Sequence, residues 1–214
     1  MDIFVVQTGG AEFEQLSGYL SCVTRARRAG ICKKSTPQDK LNALIAELLI
    51  LSEITQRTGL PQKKIAFEYG AHGKPYLKNS GLQFSLSHAQ GVVCAAFSEG
   101  CGTAKTNGGD IGIDIESKYR RASEKLCRRA LCEEERMRIT SSQDIIRMWV
   151  QKEAFLKRLG LGVTCDMRGI NTLSLPDTAS LEYGDHFIGA SGKGALEAVV
   201  TPIKLEDLLG RYSI

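Results

Sequence analysis

The 214-residue chain is poor in the features that mark membrane, secreted and zinc-stabilised proteins. No apolar run reaches the roughly 20 residues that a membrane-spanning helix needs. The seven cysteines form no CxxC pair and do not cluster with the three histidines, so we expect free thiols and no structural zinc site. Residues 2–7 have a strand-like pattern and lack the basic segment and long apolar core of a secretion signal. We therefore expect a soluble cytoplasmic protein that binds no membrane.

Extremes of composition are also lacking. With 43% hydrophobic and 24% charged residues, the chain does not resemble a disordered, collagen-like or coiled-coil protein. Its length suits one large domain or two small ones with a substantial core.

The net charge of +4 is unevenly distributed. Residues 1–105 carry 12 Lys and Arg against 8 Asp and Glu, whereas residues 106–214 carry 16 of each. The excess is concentrated between Arg25 and Lys40, where the single acidic residue is Asp39. Such a stretch indicates either an anionic partner or a solvated basic face.

Hydrophobic periodicity predicts the elements of the first half. We expect a strand at 2–7, helices at about 11–28 and 37–57, and strands near 65–69, 82–87 and 91–98. Pro37 suits the first turn of the second helix, and Gly59 suits its end.

The second half repeats this order of elements. We expect a strand at 110–116, short helices near 123–130 and 133–140, a longer helix that Ser142 caps and that extends to about Leu159, and strands near 170–175, 180–188 and 195–201. The glycine-rich stretch 100–109 is a long hairpin loop or a boundary. The prediction is an α+β fold of two similar lobes related by a pseudo-twofold, 1–105 and 106–214, each a long helix on a small antiparallel sheet, with a cleft between them.

The strand at 110–116 alternates in an unusual way. Ile111, Ile113 and Ile115 fall on one face, whereas Asp114 and Glu116 share the other. Paired carboxylates repel each other unless a cation lies between them, and hard oxygen ligands suit Mg²⁺. A solvated acidic strand face is the alternative.

Three further motifs contain groups that can act on phosphates. Glu153 and Lys157 lie one turn apart on the long helix, as either an acid–base pair or a surface ion pair. His88 ends the strand-like run Phe84-Ser-Leu-Ser-His, where it is either a phosphate ligand or a structural histidine. Lys74 follows Gly73 and precedes Pro75, which restrains the loop that carries it.

These motifs occur in the order Gly73-Lys74-Pro75, Phe84-Ser-Leu-Ser-His88, Ile111-Gly-Ile-Asp114-Ile-Glu116 and Trp149-xx-Lys152-Glu153-Ala-Phe-x-Lys157. In this order the chain resembles the Sfp-type, pseudo-dimeric branch of the 4'-phosphopantetheinyl transferase superfamily. The resemblance is sharp over residues 73–157 and weaker outside them.

The resemblance implies an Mg²⁺-dependent enzyme. It would move the phosphopantetheine arm of coenzyme A onto a serine of an apo acyl or peptidyl carrier protein and release 3',5'-ADP. The implied metal ligands are Asp114, Glu116 and Glu135, with Glu134 as the alternative to Glu135. The implied catalytic residues are Glu153, Lys157 and Glu135, with either Glu153 or Glu135 as the base. The implied coenzyme A contacts are Lys74, Pro75, Ser87, His88, Lys152 and Lys157.

The chain departs from the family at one position. The family arginine that meets the 3'-phosphate of coenzyme A falls at Asn42 or Ala43, so Lys40 or the basic stretch before it is expected to substitute. A monomer is expected, because the two lobes already form a pseudo-dimer. The alternatives are a non-catalytic coenzyme A or nucleotide-binding protein and, third, a basic nucleic-acid-binding module. The basic stretch lacks the interleaved aromatic residues of a stacking platform, so no nucleic-acid partner is expected.

Overall fold

The structure is a computed structural model that describes residues 1–99, 111–162 and 166–212. The glycine-rich stretch 100–109, Asp110, Cys101 and Cys165 lie outside these ranges. The described elements are β1 (Asp2–Gln7), α1 (Phe13–Leu16), α2 (Arg25–Cys32), α3 (Pro37–Thr58), β2 (Phe67–Tyr69), β3 (Pro75–Leu77), β4 (Leu82–Ala89), β5 (Val92–Glu99), β6 (Ile111–Ser117), α4 (Glu124–Ala130), α5 (Glu133–Arg136), α6 (Ser142–Leu159), β7 (Thr178–Tyr183), β8 (His186–Gly192), β9 (Val199–Ile203) and α7 (Leu205–Leu209). Short 3₁₀ helices span 17–22, 62–64 and 167–169.

The first lobe packs α3 on a four-stranded sheet of order β4-β5-β1-β9. Thr36 caps α3 by accepting from the amide of Asp39, Pro37 occupies its first turn, and Gly59 ends it at a φ of 69°. Leucine and isoleucine side chains of α3 bury the face of the sheet that carries Phe84 and Phe97. The strand pairs are antiparallel except for β9, which runs parallel to β1.

The second lobe packs α6 on a three-stranded antiparallel sheet of order β6-β8-β7. Ser141, rather than Ser142, caps α6 in a capping box with Asp144, and Gly160 ends it at a φ of 68°. The strand predicted over 180–188 is instead the hairpin β7-β8, because Gly184 turns the chain with a φ of 50°.

The two sheets share a hydrophobic core. Ile3 and Val5 of β1 pack against Ile111, Ile113 and Ile115 of β6. A hydrogen bond from the Ile113 amide to Ser85 Oγ, 3.1 Å long, joins β6 to β4 across the junction. The predicted α+β class with two lobes is confirmed, and the lobes meet along β4 and β6.

Four further sequence predictions differ from the structure. The strand expected near 195–201 in the second lobe is β9, which joins the sheet of the first lobe. The helix expected over 11–28 is divided into α1, a 3₁₀ helix and α2, and Thr24 caps α2 as a new start. The helix expected over 133–140 ends at Arg136. The strand expected near 170–175 is absent from the described chain, because the backbone at Thr172 hydrogen-bonds to Glu135 instead of a neighbouring strand.

No helix among the described residues is both long enough and apolar enough to cross a membrane. The cysteines at positions 22, 32, 94, 127 and 132 are free thiols. Cys94 is completely buried, and burial raises the pKa of its thiol to about 12, so it is inert at neutral pH.

Candidate functional site at the lobe junction

Strands β4 and β6 and helix α6 bring three polar side chains together at the junction. Lys157 Nζ lies 2.8 Å from Asp114 Oδ1 and 2.9 Å from Ser87 Oγ. Ser87 Oγ donates in turn to Asp114 Oδ1 at 2.7 Å. These residues are up to 70 positions apart in the sequence, and the fold brings together the three motifs that contain them.

Glu153 lies next to this group and has an unusual environment. Its side chain is 7% exposed, and its Oε1 atom has no hydrogen-bond partner. Burial is the main reason that its pKa rises to about 7, and the charge of Asp114 is the next. The positive charges of Lys157 and Arg120 oppose this rise. A carboxyl group that titrates near neutral pH can exchange a proton with a substrate.

Glu116 follows Asp114 on the same face of β6 and is half-buried. Arg120 donates to its carboxylate, and the same guanidinium lies 5.4 Å from the centre of the Trp149 ring. Asp114, Glu116 and Glu153 are called the cleft carboxylates below.

A cavity of about 330 Å³ opens beside Lys157. Its apolar walls come from Tyr69, Pro75, Phe84 and Leu86, its cationic groups come from Arg27, Lys74 and Lys157, and His72 also lines it. The apolar walls can hold a flat ring while the cations meet phosphates, so the cavity suits a nucleotide.

Arg27 is a site residue that the sequence singled out only as part of a basic stretch. Its Nε atom donates to Glu47 Oε2 at 2.8 Å, and Glu47 is buried in α3. This ion pair holds the guanidinium at the cavity wall. Glu47, among the leucine and isoleucine residues of α3, was the available signal, because a buried carboxylate requires a cation.

Lys74 lines the cavity from the loop before β3. Its ammonium donates to the carbonyl oxygens of Ile111, at 2.8 Å, and Arg158, at 3.3 Å. Lys74 therefore joins the first lobe to β6 and α6 as well as lining the cavity.

His88 is half-buried at the end of β4. Burial, followed by the positive charges of Lys157 and Lys34, lowers the pKa of His88 below its ordinary value. The imidazole is therefore neutral at physiological pH and can donate one hydrogen bond to a ligand.

Lys40 lies on α3, as expected, but does not line the cavity. Its ammonium lies over the ring of Phe13, 5.8 Å from the ring centre. Asn42, two residues along α3 and so on a different face, donates to the carbonyl of Ala89 beside His88. This arrangement does not test a contact between Lys40 and coenzyme A, which stays a prediction.

Glu135 and Lys152 also require a correction. Both side chains are 0% exposed, and they form an ion pair of 2.6 Å with each other. Lys152 donates to the carbonyls of Ala130 and Met167 as well. Glu135 therefore cannot ligate a metal with Asp114 or act as the base, and Lys152 cannot contact coenzyme A, because their polar atoms are enclosed and already bonded.

Two glycines that the sequence analysis did not single out allow α6 to approach its sheet. A Cβ atom at Gly112 would lie 2.0 Å from the Ala154 carbonyl oxygen, and one at Gly189 would lie 2.0 Å from the Val150 oxygen. Glycine in the interior of a strand is the signal that could have revealed this close backbone contact.

The cleft carboxylates were tested as a metal site. Within residues 1–99, 111–162 and 166–212, no group of three or more His, Cys, Asp or Glu side chains is gathered to hold a metal ion. Asp114 and Glu116 are instead paired with Lys157 and Arg120. The donor types nevertheless fit a hard cation, because all are carboxylate oxygens and the buried Oε1 of Glu153 has no partner.

Comparison with known proteins agrees with this geometry. Residues 110–204 match the family model of the 4'-phosphopantetheinyl transferase superfamily, and residues 11–99 match the model described as 4'-phosphopantetheinyl transferase, N-terminal. The two matches lie on either side of the stretch 100–109. The chain belongs to the 4'-phosphopantetheinyl transferase superfamily.

Particular relatives support the same assignment. The chain is 29% identical over 179 residues to the L-aminoadipate-semialdehyde dehydrogenase-phosphopantetheinyl transferase of Saccharomyces cerevisiae, covering 80% of this chain and 62% of the relative. The protein of the same name in Candida glabrata is 29% identical over 66% of this chain and 56% of its own. The 4'-phosphopantetheinyl transferase psf-1 of Bacillus pumilus is 26% identical over 87% of this chain and 81% of its own. The chain thus spans less than two thirds of the two fungal relatives.

Proposed function

We propose that the protein transfers the 4'-phosphopantetheine arm of coenzyme A to a serine of an apo acyl or peptidyl carrier protein and releases 3',5'-ADP. The observation that carries this proposal is the continuity between the nucleotide-sized cavity and the cleft carboxylates. Lys157 belongs to both, since it lines the cavity and bonds to Asp114. The names of the relatives support the same reaction.

Coenzyme A would bind with its nucleotide in the cavity. The base would lie against Tyr69, Pro75 and Phe84, and the phosphates would meet Arg27 and Lys157. Most of the lining comes from residues before 105, which supports a coenzyme A lobe in 1–105 and a catalytic lobe in 106–214, with β9 and α7 of the C-terminal segment packed on the first lobe.

Asp114 and Glu116 would hold Mg²⁺, with Glu153 beside them. When bound, the cation would neutralise charge on the pyrophosphate of coenzyme A. The present partners of the two carboxylates, Lys157 and Arg120, would then be available for phosphate oxygens.

Glu153 would act as the general base. Its ionised carboxylate takes the proton of the carrier serine, whose oxygen attacks the phosphorus next to the pantetheine arm. A new bond forms between this phosphorus and the serine oxygen, and its bond to the oxygen that bridges to the ADP phosphate breaks. Lys157 neutralises the leaving phosphate. The proposal requires no covalent enzyme intermediate.

The carrier would dock on a basic surface of the second lobe, formed by Arg128, Arg129, Arg136, Met137 and Arg138. All five side chains are exposed, and Met137 is 75% exposed. This segment follows β6, which carries Asp114 and Glu116. An apolar side chain among arginines suits an acidic helical partner. A monomeric state and a cytoplasmic location remain predictions.

The transfer is tested by incubating the protein with coenzyme A, Mg²⁺ and several apo carrier proteins. Mass spectrometry should show a gain of about 340 Da on the carrier, the mass of the covalently transferred arm. A carrier whose acceptor serine is changed to alanine is the control. Absence of an adduct on every carrier, together with measurable coenzyme A binding, would support the non-catalytic alternative.

The docking surface has a separate test. Reversing Arg128 and Arg129 to glutamate should raise the KM for the carrier about tenfold and leave the KM for coenzyme A nearly unchanged. Reversing Lys63 and Lys64, which are exposed on the first lobe, is the matched control. Equal changes in both KM values would exclude this surface.

A further inference from the structure

Helix α6 carries polar groups on two sides. Glu153 and Lys157 lie toward the cleft, whereas Lys152 points into a separate buried site. The ammonium of Lys152 donates to Glu135 Oε2 at 2.6 Å, to the Ala130 carbonyl at 2.7 Å and to the Met167 carbonyl at 3.0 Å. An ammonium has three donors, so all of them are used.

Glu135 extends this network to further segments. It accepts from the amide of Cys132 at 2.8 Å, and from both the amide and the hydroxyl of Thr172 at 2.8 Å. Burial alone would raise the pKa of Glu135, but the hydrogen bonds from Lys152 and Thr172 outweigh it and lower the pKa. The ion pair therefore connects α4, α5, α6 and the segment 167–172 inside the second lobe.

The opposite side of α6 is held by backbone contact. The closeness of Gly112 to Ala154 and of Gly189 to Val150 sets the distance between the helix and its sheet. Glycine has no side chain to interlock with its neighbours. These contacts therefore fix the distance between α6 and the sheet more firmly than they fix the rotation of α6 about its own axis. An anchored side chain on the opposite side of α6 can fix the rotational orientation of the helix.

We propose that Lys152 and Glu135 are positioning residues, which fix the rotation of α6 so that Glu153 and Lys157 point at Asp114. Successive helical residues are about 100° apart, so anchoring Lys152 sets the direction of Glu153 directly. Stability alone does not account for the pair, because buried ion pairs can often be replaced by apolar residues without loss. The inference rests on the proposed function for the roles of Glu153 and Lys157.

The test uses two variants and a control. Glu135→Gln removes the counterion, and the double variant Glu135→Gln/Lys152→Met removes both charges and restores a neutral interior. The control is Glu182→Gln, which breaks exposed ion pairs of the same lobe, including one to Arg147 on α6. Each protein is measured for thermal unfolding, for kcat and KM with coenzyme A, and for the fluorescence emission of Trp149, the single tryptophan, which lies on α6.

We expect Glu135→Gln to melt at a lower temperature and the double variant to recover most of this loss. In both, kcat measured well below the melting temperature should fall at least tenfold, with the KM for coenzyme A within threefold of the parent value. The emission of Trp149 should shift in both variants and remain unchanged in the control.

If the double variant recovers the parent kcat and the parent Trp149 emission together with its stability, the inference is overturned. The pair would then only stabilise the lobe. If the parent protein transfers nothing to any carrier, the proposed function fails separately. The Trp149 emission of the double variant then decides whether the pair orients α6.

Discussion

Two lysines of α6, five residues apart, each contact a carboxylate, but the two ion pairs differ in their access to solvent. Lys157 lies 2.8 Å from Asp114, and its side chain is 30% exposed at the cavity. Lys152 lies 2.6 Å from Glu135, and neither side chain has any exposure. The first pair can exchange partners with a phosphate and a cation, whereas the second is part of the interior. The same chemical pair can therefore belong to a site or to the fold, depending on what covers it.

The largest effect on activity should follow from substituting Asp114, the acidic partner of Lys157. Asp114→Asn should lower the rate of transfer by about 10³-fold or more, equivalent to about 4 kcal/mol, because the variant loses a charge beside the reacting phosphates. The measurement is the initial rate of carrier modification across a range of Mg²⁺ concentrations. Asp166→Asn is the matched control, since Asp166 forms an exposed pair with Arg168. Retention of full activity by Asp114→Asn would refute the role of Asp114.

The two lysines themselves provide the most direct contrast in stability. Lys152→Met should lower the free energy of unfolding by about 3–5 kcal/mol, because it leaves Glu135 buried without a cation. Lys157→Met should lower it by less, about 1–2 kcal/mol, because Lys157 is 30% exposed and Asp114 keeps the hydrogen bond from Ser87. Urea unfolding at neutral pH measures both changes. Similar values for the two variants would contradict the difference in burial.

Glu153, which lies beside Asp114 and Lys157, titrates near neutral pH. Its substitution should lower activity but raise stability. Glu153→Gln should lower the rate about 10²-fold through loss of the base. The folded pKa of about 7 lies above the ordinary value of 4.5, so the protonated carboxyl stabilises the fold below pH 4.5 and this contribution is lost as the pH rises to 7.

Above pH 7, ionised Glu153 therefore destabilises the metal-free protein. Glu153→Gln should be more stable than the parent by about 2–3 kcal/mol at pH 8 and equal to it near pH 4. Denaturant unfolding in the presence of a chelator measures this difference. A constant difference across the pH range would show that burial and Asp114 do not raise the pKa of Glu153.

Much of the arrangement around Asp114 and Lys157 could be predicted from the sequence, but little of the arrangement around Glu135 and Lys152. Alternation in β6 places Asp114 and Glu116 on one face, and helix periodicity relates Glu153 to Lys157. Pro37 and Gly59 mark the ends of α3 in advance. The roles of Lys152 and Glu135 could not be predicted in this way, because they depend on residues 166–172, which pack over α6 with a single short 3₁₀ helix and no strand. Local periodicity shows which residues share a face, but not what covers that face.

A third ion pair, between Arg27 and Glu47, is intermediate between the other two and should give the smallest effect. Glu47 is buried, but Arg27 reaches the cavity wall, and its side chain is 38% exposed.

Arg27→Gln can still donate to Glu47 but loses the charge that would meet a phosphate. We expect the KM for coenzyme A to rise about tenfold, since one charge-assisted hydrogen bond contributes about 1.5–3 kcal/mol. The kcat should change less than twofold, because Arg27 lies away from Glu153 on the other lobe. Arg28→Gln, one residue along α2 and exposed to solvent, is the control and should leave both constants unchanged. Equal effects of the two substitutions would show that the general basic charge of α2, rather than the anchored Arg27 side chain, attracts the ligand.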